Sequence, residues 1–209
     1  MRIAVIGAGK VGRALGGGWS RAGHAVAYGV PDPADPKHAD LPAASRHGVA
    51  AAVAGAEIVV LAVPWGAVAD ALAAAGDLAG RVVIDCTNPL VYTPGSGLHL
   101  ALGFETSGAE RVAALAPGAR VVKTLNQTGA EVMGDAHAFP QRPVMFLAAD
   151  DADAKAHASR LVADLGFEPR DAGPLANARL LEPLAMLWID QATARGAGRD
   201  VAFTLARKP

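Results

Sequence analysis

The hydrophobic pattern starts at once. Arg2-Ile-Ala-Val-Ile6 is a short apolar run rich in β-branched residues, and Val11, Ala14, Leu15 and Trp19 then recur at helical spacing. Between them lies Gly7-Ala8-Gly9-Lys10-Val11-Gly12, so the opening predicts strand, tight turn and helix, with Gly23 ending the helix. The Gly16-Gly17-Gly18 run weakens that helix by roughly 1 kcal/mol per residue relative to alanine, so close packing on a sheet must compensate. His24 to Gly29 reads as a second strand, followed by a Pro- and Asp-rich loop to about Pro42 and an Ala-rich helix from Val49 to Ala54. Glu57 to Val63 is continuously apolar, as suits a parallel strand covered on both faces. Pro64 stops it, Trp65 to Ala75 reads as helix, and Arg81 to Cys86 supplies a fourth strand. Such alternation predicts an α/β fold with a doubly wound parallel sheet and right-handed crossovers.

Thr87 to Thr106 carries Pro89, Pro94, Gly95, Gly97 and Gly103 and reads as a long functional loop leaving a strand's carboxyl end. Ser107-Gly-Ala-Glu110 is a capping-box signature for a helix ended by Pro117-Gly118, and Ala119 to Leu125 is a fifth strand. Beyond Asn126 the pattern changes: a strand at Pro143 to Ala148, a helix from about Ala152 to Leu165, and a short strand near Phe167 to Arg170. The expected division is a dinucleotide-binding domain over 1–126 and a smaller C-terminal lobe over 127–209 that completes the substrate cleft. An amphipathic helix follows Gly173-Pro174 through Leu180, Leu181, Leu184, Leu187 and Trp188, with Pro183 expected to kink it.

Composition narrows the classes. A chain of 209 residues, 52% hydrophobic and 19% charged, has material for one compact unit and no reason for disorder. Its net charge of −1, with Lys and Arg scattered, lacks the footprint of a nucleic-acid or membrane binder, so small-molecule partners are favoured. The single cysteine, Cys86, sits in an apolar run and reads as a buried thiol rather than a nucleophile. Cysteine and histidine spacings give no metal site, and no signal peptide or bilayer-length apolar stretch is evident, so a cytoplasmic location is expected.

The glycine pattern G-x-G-x-x-G acquires meaning from its place between strand and helix. Gly7 permits the tight turn, Gly9 lets backbone N–H groups approach a pyrophosphate, and Gly12 allows close helix–strand packing. The helix N-terminus adds positive potential for phosphates. A Rossmann-type dinucleotide site is therefore expected, using Gly7, Ala8, Gly9, Lys10, Val11 and Gly12. The ribose discriminator should lie about 20 residues on. There Tyr28-Gly29-Val30-Pro31 offers neither the acid expected for NAD nor the arginine expected for a 2′-phosphate. Lys10, Lys37 and His38 either reach a phosphate or are ordinary solvated charges, and Asp32 is a possible displaced ribose ligand.

The chain also resembles the coenzyme F420-dependent NADP oxidoreductase family, to which the oxidoreductase domain of the STEAP metalloreductases is similar. The resemblance rests on Gly7-Ala-Gly-Lys-Val-Gly12, Leu61-Ala-Val-Pro-Trp65, Asp85-Cys-Thr-Asn-Pro-Leu90, Thr106-Ser-Gly-Ala-Glu110, Val122-Lys-Thr-Leu-Asn126 and Asp171-Ala-Gly-Pro-Leu-Ala-Asn-Ala-Arg179 with Leu181-Glu-Pro-Leu184. It implies an NADPH site on the first lobe, with NAD as the other dinucleotide, and a deazaflavin (F420) or flavin between the lobes. Hydride would pass directly between ring carbons, which demands positioning more than a proton-transfer residue. Where the family has Thr, Ser and Arg around the 2′-phosphate, this chain has Ala8, Val30 and Pro31.

Val63, Pro64 and Trp65 follow a strand on the cofactor side and either form a shelf over the nicotinamide ribose or, for Trp65, join the core. Asn88 and Pro89 end the fourth strand, where either Thr87 or Asn88 bonds the nicotinamide end or the segment makes an Asx turn. Asn126, Lys123 and His99 are the candidates nearest the nicotinamide, with no catalytic proton-transfer residue assigned. Lys123 reads alternatively as a structural strand lysine, while His38, His47, His137 and His157 read as surface residues. Arg179 and Glu182 at i, i+3 read as a simple ion pair. Two rival functions stand beside hydride transfer to a deazaflavin or flavin: reduction of a small imine or carbonyl, and a non-catalytic NADPH-sensing module. The apolar face of the last helix predicts a homodimer.

Overall fold

The computed structural model describes residues 1–206 and 208. The opening apolar run is strand β1 (Arg2–Ile6), the glycine turn leads into helix α1 (Lys10–Arg21), and β2 (Ala25–Gly29) pairs parallel to β1. A two-residue β3 (Arg46–His47) and α2 (Val49–Ala54) follow the Pro- and Asp-rich loop. The chain then returns to the other side of β1 with β4 (Ile58–Leu61), α3 (Val68–Ala75) and β5 (Val82–Asp85). Next come a hairpin of β6 (Leu90–Thr93) and β7 (Gly97–Leu100), helix α4 (Gly108–Leu115) and β8 (Arg120–Lys123), which pairs parallel to β5.

The last part comprises α5 (Ala130–Met133), β9 (Val144–Ala149), α6 (Ala152–Asp164), β10 (Glu168–Asp171) and α7 (Ala178–Thr193). The sheet runs β10-β9-β8-β5-β4-β1-β2-β3, parallel except where β9 meets β8 antiparallel. It is a doubly wound, mostly parallel Rossmann-like sheet with helices on both faces. Strands β9 and β10, from the stretch expected as a lobe over 127–209, are hydrogen-bonded into the same sheet as β1. Positions 207 and 209 of that stretch lie outside the described residues.

The continuous apolar character of β1, β4 and β5 follows from burial on both faces. One cluster joins Val5, Trp19, Ile84, Leu161 and Phe167 beneath α1 and α6. The other joins Ile6, Leu61, Leu72, Val83 and Val112 beneath α2, α3 and α4. The glycine run in α1 has the compensation its sequence demands. A Cβ at Gly16 would overlap the Tyr28 hydroxyl, and one at Gly18 would overlap Leu165 and the Gly134 carbonyl. The helix backbone therefore lies directly on β2 and on α5 and α6.

Two expectations need correction. The segment from Thr87 to Thr106 is not structureless: Thr93 pairs with Gly97 around a turn in which Gly95 and Gly97 have positive φ, so Pro94-Gly95 makes a hairpin. His38 is buried rather than on the surface, its carbonyl accepting from Arg46 Nη1 at 3.3 Å and its ring beside Arg13. Helix α7 runs on through Pro183. No helix among the described residues is long and apolar enough to cross a membrane.

Candidate active site

The chain leaves β1 for β2 on one side and crosses to β4 on the other, so the carboxyl ends of β1 and β4 flank the point where strand order reverses. Doubly wound sheets bind ligands in that crevice. Gly7 turns there with φ +99°, its N–H donating to the Gly29 carbonyl at 2.9 Å. A side chain on Gly7 would strike the Ala62 carbonyl oxygen, 2.5 Å from the Cβ position. At Gly12 a Cβ would overlap the Gly7 carbonyl oxygen, so this glycine is what lets the helix start against the turn. Gly9 differs: nothing lies within 4 Å of its Cβ position, and its Cα faces open space. It is the N-cap of α1, and no side chain caps the helix. Arg13 makes the first intrahelical bond, to the Gly9 carbonyl at 3.0 Å, so the leading N–H groups of the helix remain directed into the crevice.

A cavity of 410 Å³ fills the crevice, lined by Gly9, Lys10, Val11, Ala62, Val63, Pro64, Trp65, Cys86, Thr87, Asn88 and Leu90. Trp65 is half-buried: it lines this cavity and also packs against the second core cluster. Val30 and Pro31 stand apart at the end of β2: Val30 is buried, its N–H donating to the His47 carbonyl at 2.9 Å, and Pro31 is exposed. Ala8 and Pro89 are buried and do not line the cavity.

A second cavity of 360 Å³ shares Val11, Cys86, Asn88 and Leu90 with the first and continues past Asn126, Thr128 and Gly129 to Trp188 and Arg199. Asn88 and Asn126 hold one another where the cavities meet. Asn88 Nδ2 donates to the Asn126 carbonyl at 2.9 Å, and Asn126 Nδ2 donates to Asn88 Oδ1 at 3.0 Å and to the Leu181 carbonyl at 3.2 Å. Asn88 thus bridges to Asn126 instead of making an Asx turn; that turn is formed by Asp85, whose Oδ1 accepts from the N–H and hydroxyl of Thr87 at 2.9 and 2.7 Å. Leu125, fully buried, adopts φ +55°, a left-handed conformation that costs a branched residue roughly 1–2 kcal/mol. It turns the chain between Lys123 and Asn126.

Lys123 does not reach either cavity. Its side chain is fully buried, with Nζ 3.0 Å from Asp85 Oδ2, 2.9 Å from Glu182 Oε1 and 2.5 Å from the Thr87 carbonyl. Burial works against the ammonium, but Asp85 and Glu182 outweigh it and hold its pKa above the ordinary lysine value. Two carboxylates against one ammonium leave an excess negative charge. The N-terminus of α4 answers it: Gly108 and Ala109 N–H donate to Glu182 at 2.9 and 3.2 Å. Glu182 is therefore no partner of Arg179, which instead grips Glu110 through Nε at 2.9 Å and Nη2 at 2.5 Å.

His99 also misses the site. It lies in β7, Nδ1 against the Gly97 carbonyl at 3.1 Å, and lines neither cavity. Cys86 lines both cavities, but burial, followed by the nearby Asp85 charge, pushes its pKa far up, so it remains a neutral thiol. Among the described residues, no group of three His, Cys, Asp or Glu side chains is arranged to hold a metal.

Several neighbours of the site escaped the sequence reading. Arg13 ties the glycine turn to the loop after β2, Nε donating to the Ala8 carbonyl at 2.7 Å and Nη2 to the Lys37 carbonyl at 2.8 Å, with Asp40 as its ion-pair partner. Thr128, Trp188 and Arg199 meet at the far end of the second cavity. Trp188 was legible as part of an apolar helix face; Arg199 carried no signal.

Comparison with known proteins matches this geometry. The family described as NADP oxidoreductase, coenzyme F420-dependent, matches residues 2–89. A crystal structure of a candidate F420-dependent NADP reductase from Arthrobacter sp. FB24 has a TM-score of 0.88 and 34% identity, covering 99% of this chain and 100% of that one. Metalloreductase STEAP3 of Rattus norvegicus is 31% identical over 138 residues, 65% of this chain. The alignment takes in 27% of that relative's length. A reductive aminase from Aspergillus terreus, solved with NADPH4, cyclohexanone and allyl amine, shares the fold at a TM-score of 0.66 and 22% identity, covering 93% of this chain and 62% of that one. The chain belongs to the coenzyme F420-dependent NADP oxidoreductase family and is an NADP(H)-binding oxidoreductase.

Proposed function

We propose that the chain passes hydride between the nicotinamide of NADP(H), held in the first cavity, and the ring of a deazaflavin (F420) or flavin, held in the second. The observation that carries this reading is the lining of the two adjoining cavities. Among the described residues it includes no carboxylate, imidazole or phenol, and the thiol at their junction, Cys86, is protonated. Reduction of an imine or carbonyl puts hydride and proton on the two atoms of one bond, so a donor must stand beside the hydride's target. In a deazaflavin or flavin the hydride goes to the central ring, at C5 or N5, and the balancing proton to N1, where water can supply it, so the transfer itself asks for positioning. When bound, the nicotinamide supplies or takes the hydride.

The residues fit the dinucleotide. The uncapped N–H groups of α1 and the open Gly9 are suited to the pyrophosphate, with Gly7, Ala8, Lys10, Val11 and Gly12 forming the turn around it. Val63, Pro64 and Trp65 support the ribose, while Asn88 and Asn126, each held by the other, orient the nicotinamide end. Residues 127–209, as the expected smaller lobe, complete the acceptor side through α5 and α7. Incubating the protein with NADPH and a panel of F420, FMN and a cyclic imine tests the reading. Nicotinamide oxidation is expected with F420 or FMN; turnover of the imine without flavin overturns it, as does tight NADPH binding with no acceptor reduced.

Cofactor choice should be loose. Pro31 is exposed at the ribose end and offers no guanidinium, while Arg13 is engaged by Asp40 and two carbonyls. A charge-assisted phosphate contact contributes about 1.5–3 kcal/mol, so its absence should hold the NADPH preference over NADH to about a hundredfold or less. Pro31→Arg should raise NADPH affinity selectively; titration of both proteins with both dinucleotides checks this, and an unaltered ratio contradicts it.

Helix α7 carries the homodimer expectation. Leu181, Ala185 and Trp188 are buried within the chain, but Leu180 and Leu187 stand 62% and 51% exposed. A second copy would cover them. Sedimentation at micromolar concentration should give a dimer; a strict monomer contradicts it.

A further inference from the structure

The far end of the second cavity has a feature that hydride transfer does not require. Arg199 is the charged side chain among the described residues lining it. It stands on the segment after α7, which is fastened back onto the fold: the Val201 carbonyl accepts from Trp188 Nε1 at 2.8 Å and from Thr128 Oγ1 at 3.2 Å, and Val144 N–H donates to the Phe203 carbonyl at 2.9 Å. Its guanidinium carbon is 5.7 Å from the centroid of the Trp188 ring.

One edge of the guanidinium is committed, Nε donating to Glu131 Oε1 at 2.7 Å. Glu131 does not line the cavity, so the arginine rather than its partner carboxylate faces the space. The pair is exposed enough, 46% and 32% of the two side chains, for solvent to screen most of its attraction, so it competes weakly with an incoming anion. Gly129 is what lets these groups meet at the cavity's end: a Cβ there would lie 2.6 Å from Glu131 Oε2, 2.7 Å from the Trp188 ring and 3.3 Å from Arg199 Nη2. An apolar, amide-lined cavity with a tryptophan at its end suits a flat ring, and a forked cation at its rim suits a phosphate or carboxylate.

We infer that Arg199 reads an acidic group on the flat redox acceptor and so determines which acceptors the second cavity prefers. This rests on the proposed hydride transfer, and the test separates the two. FMN and riboflavin carry the same ring and differ by a phosphate. Fluorescence titration of each into the wild-type protein, Arg199→Gln and Arg199→Lys, all with saturating NADP⁺, reads binding without turnover; NADPH oxidation by each flavin is followed in parallel.

The wild type should bind FMN about tenfold or more tightly than riboflavin, the preference weakening with added salt. Arg199→Gln should bring the ratio close to one, with Arg199→Lys between. Equal affinities in the wild type, no binding of either flavin, or a ratio that survives Arg199→Gln overturns the role of Arg199. Thermal melts of the variants guard against a general loss of fold. Selective FMN binding without NADPH oxidation rejects hydride transfer to FMN and leaves the role of Arg199 standing. Oxidation at a ratio unchanged by Arg199→Gln does the reverse.

Discussion

Lys123→Met should lower the free energy of unfolding by about 3–5 kcal/mol, the range found when one partner of a buried ion pair is removed. The side chain is fully buried, and the substitution leaves Asp85 and Glu182 facing each other without the ammonium between them. Each carboxylate keeps two other donors, the Gly108 and Ala109 N–H groups for Glu182 and the N–H and hydroxyl of Thr87 for Asp85, so the loss falls on both. The Thr87 carbonyl also loses its donor, which loosens the turn carrying Asn88. Urea denaturation measures the change. Neutralising the carboxylates together with the lysine, as Asp85→Asn and Glu182→Gln on the Lys123→Met background, should recover part of it, since no buried charge is then left unpaired. A loss below about 1 kcal/mol for Lys123→Met would show that the carboxylates take up protons or find water, removing the charged triad from the account.

Gly9→Asp should fold normally and lose dinucleotide affinity by roughly a hundredfold or more. The added Cβ meets nothing within 4 Å, so no protein atom resists it. Its carboxylate, however, enters the space before the α1 N-terminus that we assign to the pyrophosphate, where like-charge repulsion costs several kcal/mol. Gly12→Ala should behave in the opposite way. There even a methyl group overlaps the Gly7 carbonyl, so helix and turn must separate and the melting temperature should fall before binding is considered. Calorimetric titration with NADPH, paired with thermal melts, distinguishes the two. Unchanged NADPH affinity in a folded Gly9→Asp protein would remove the site assignment.

The contrast between these glycines marks what the sequence makes legible. A G-x-G-x-x-G between strand and helix states its geometry locally, and Gly7 and Gly12 occupy the strained turn and the close contact that the motif requires. The parallel strands were equally plain, because burial on both faces makes them continuously apolar. What local pattern cannot carry is pairing across the chain. Arg179 and Glu182 look like neighbours on one helix face, yet Glu182 turns inward to Lys123, 59 positions earlier, and Arg179 outward to Glu110. His38 lies in a polar loop and is buried only because Arg13 and Arg46 draw that loop down. The hairpin of β6 and β7 was hidden for another reason. Its strands are four residues each, too short for alternation to outweigh the Pro94-Gly95 turn that joins them.

Helix α1 meets its neighbours backbone first, and this constrains how such a sequence can drift. The space beside Gly16 is filled by the hydroxyl end of Tyr28, and that beside Gly18 by Leu165 and the Gly134 carbonyl. Positions 16 and 28 therefore hold a single shared volume. A lineage that gains a methyl group at 16 must give up the phenol at 28, in either order through an intermediate that is overfilled or hollow. At 18 no such exchange suffices, because the Gly134 carbonyl stands there beside Leu165 and a backbone atom cannot be traded for a smaller one. The helix that presents its N-terminus to a cofactor is thus tuned in place by residues with no chemistry of their own, and the seat can be lost by a change that never touches it.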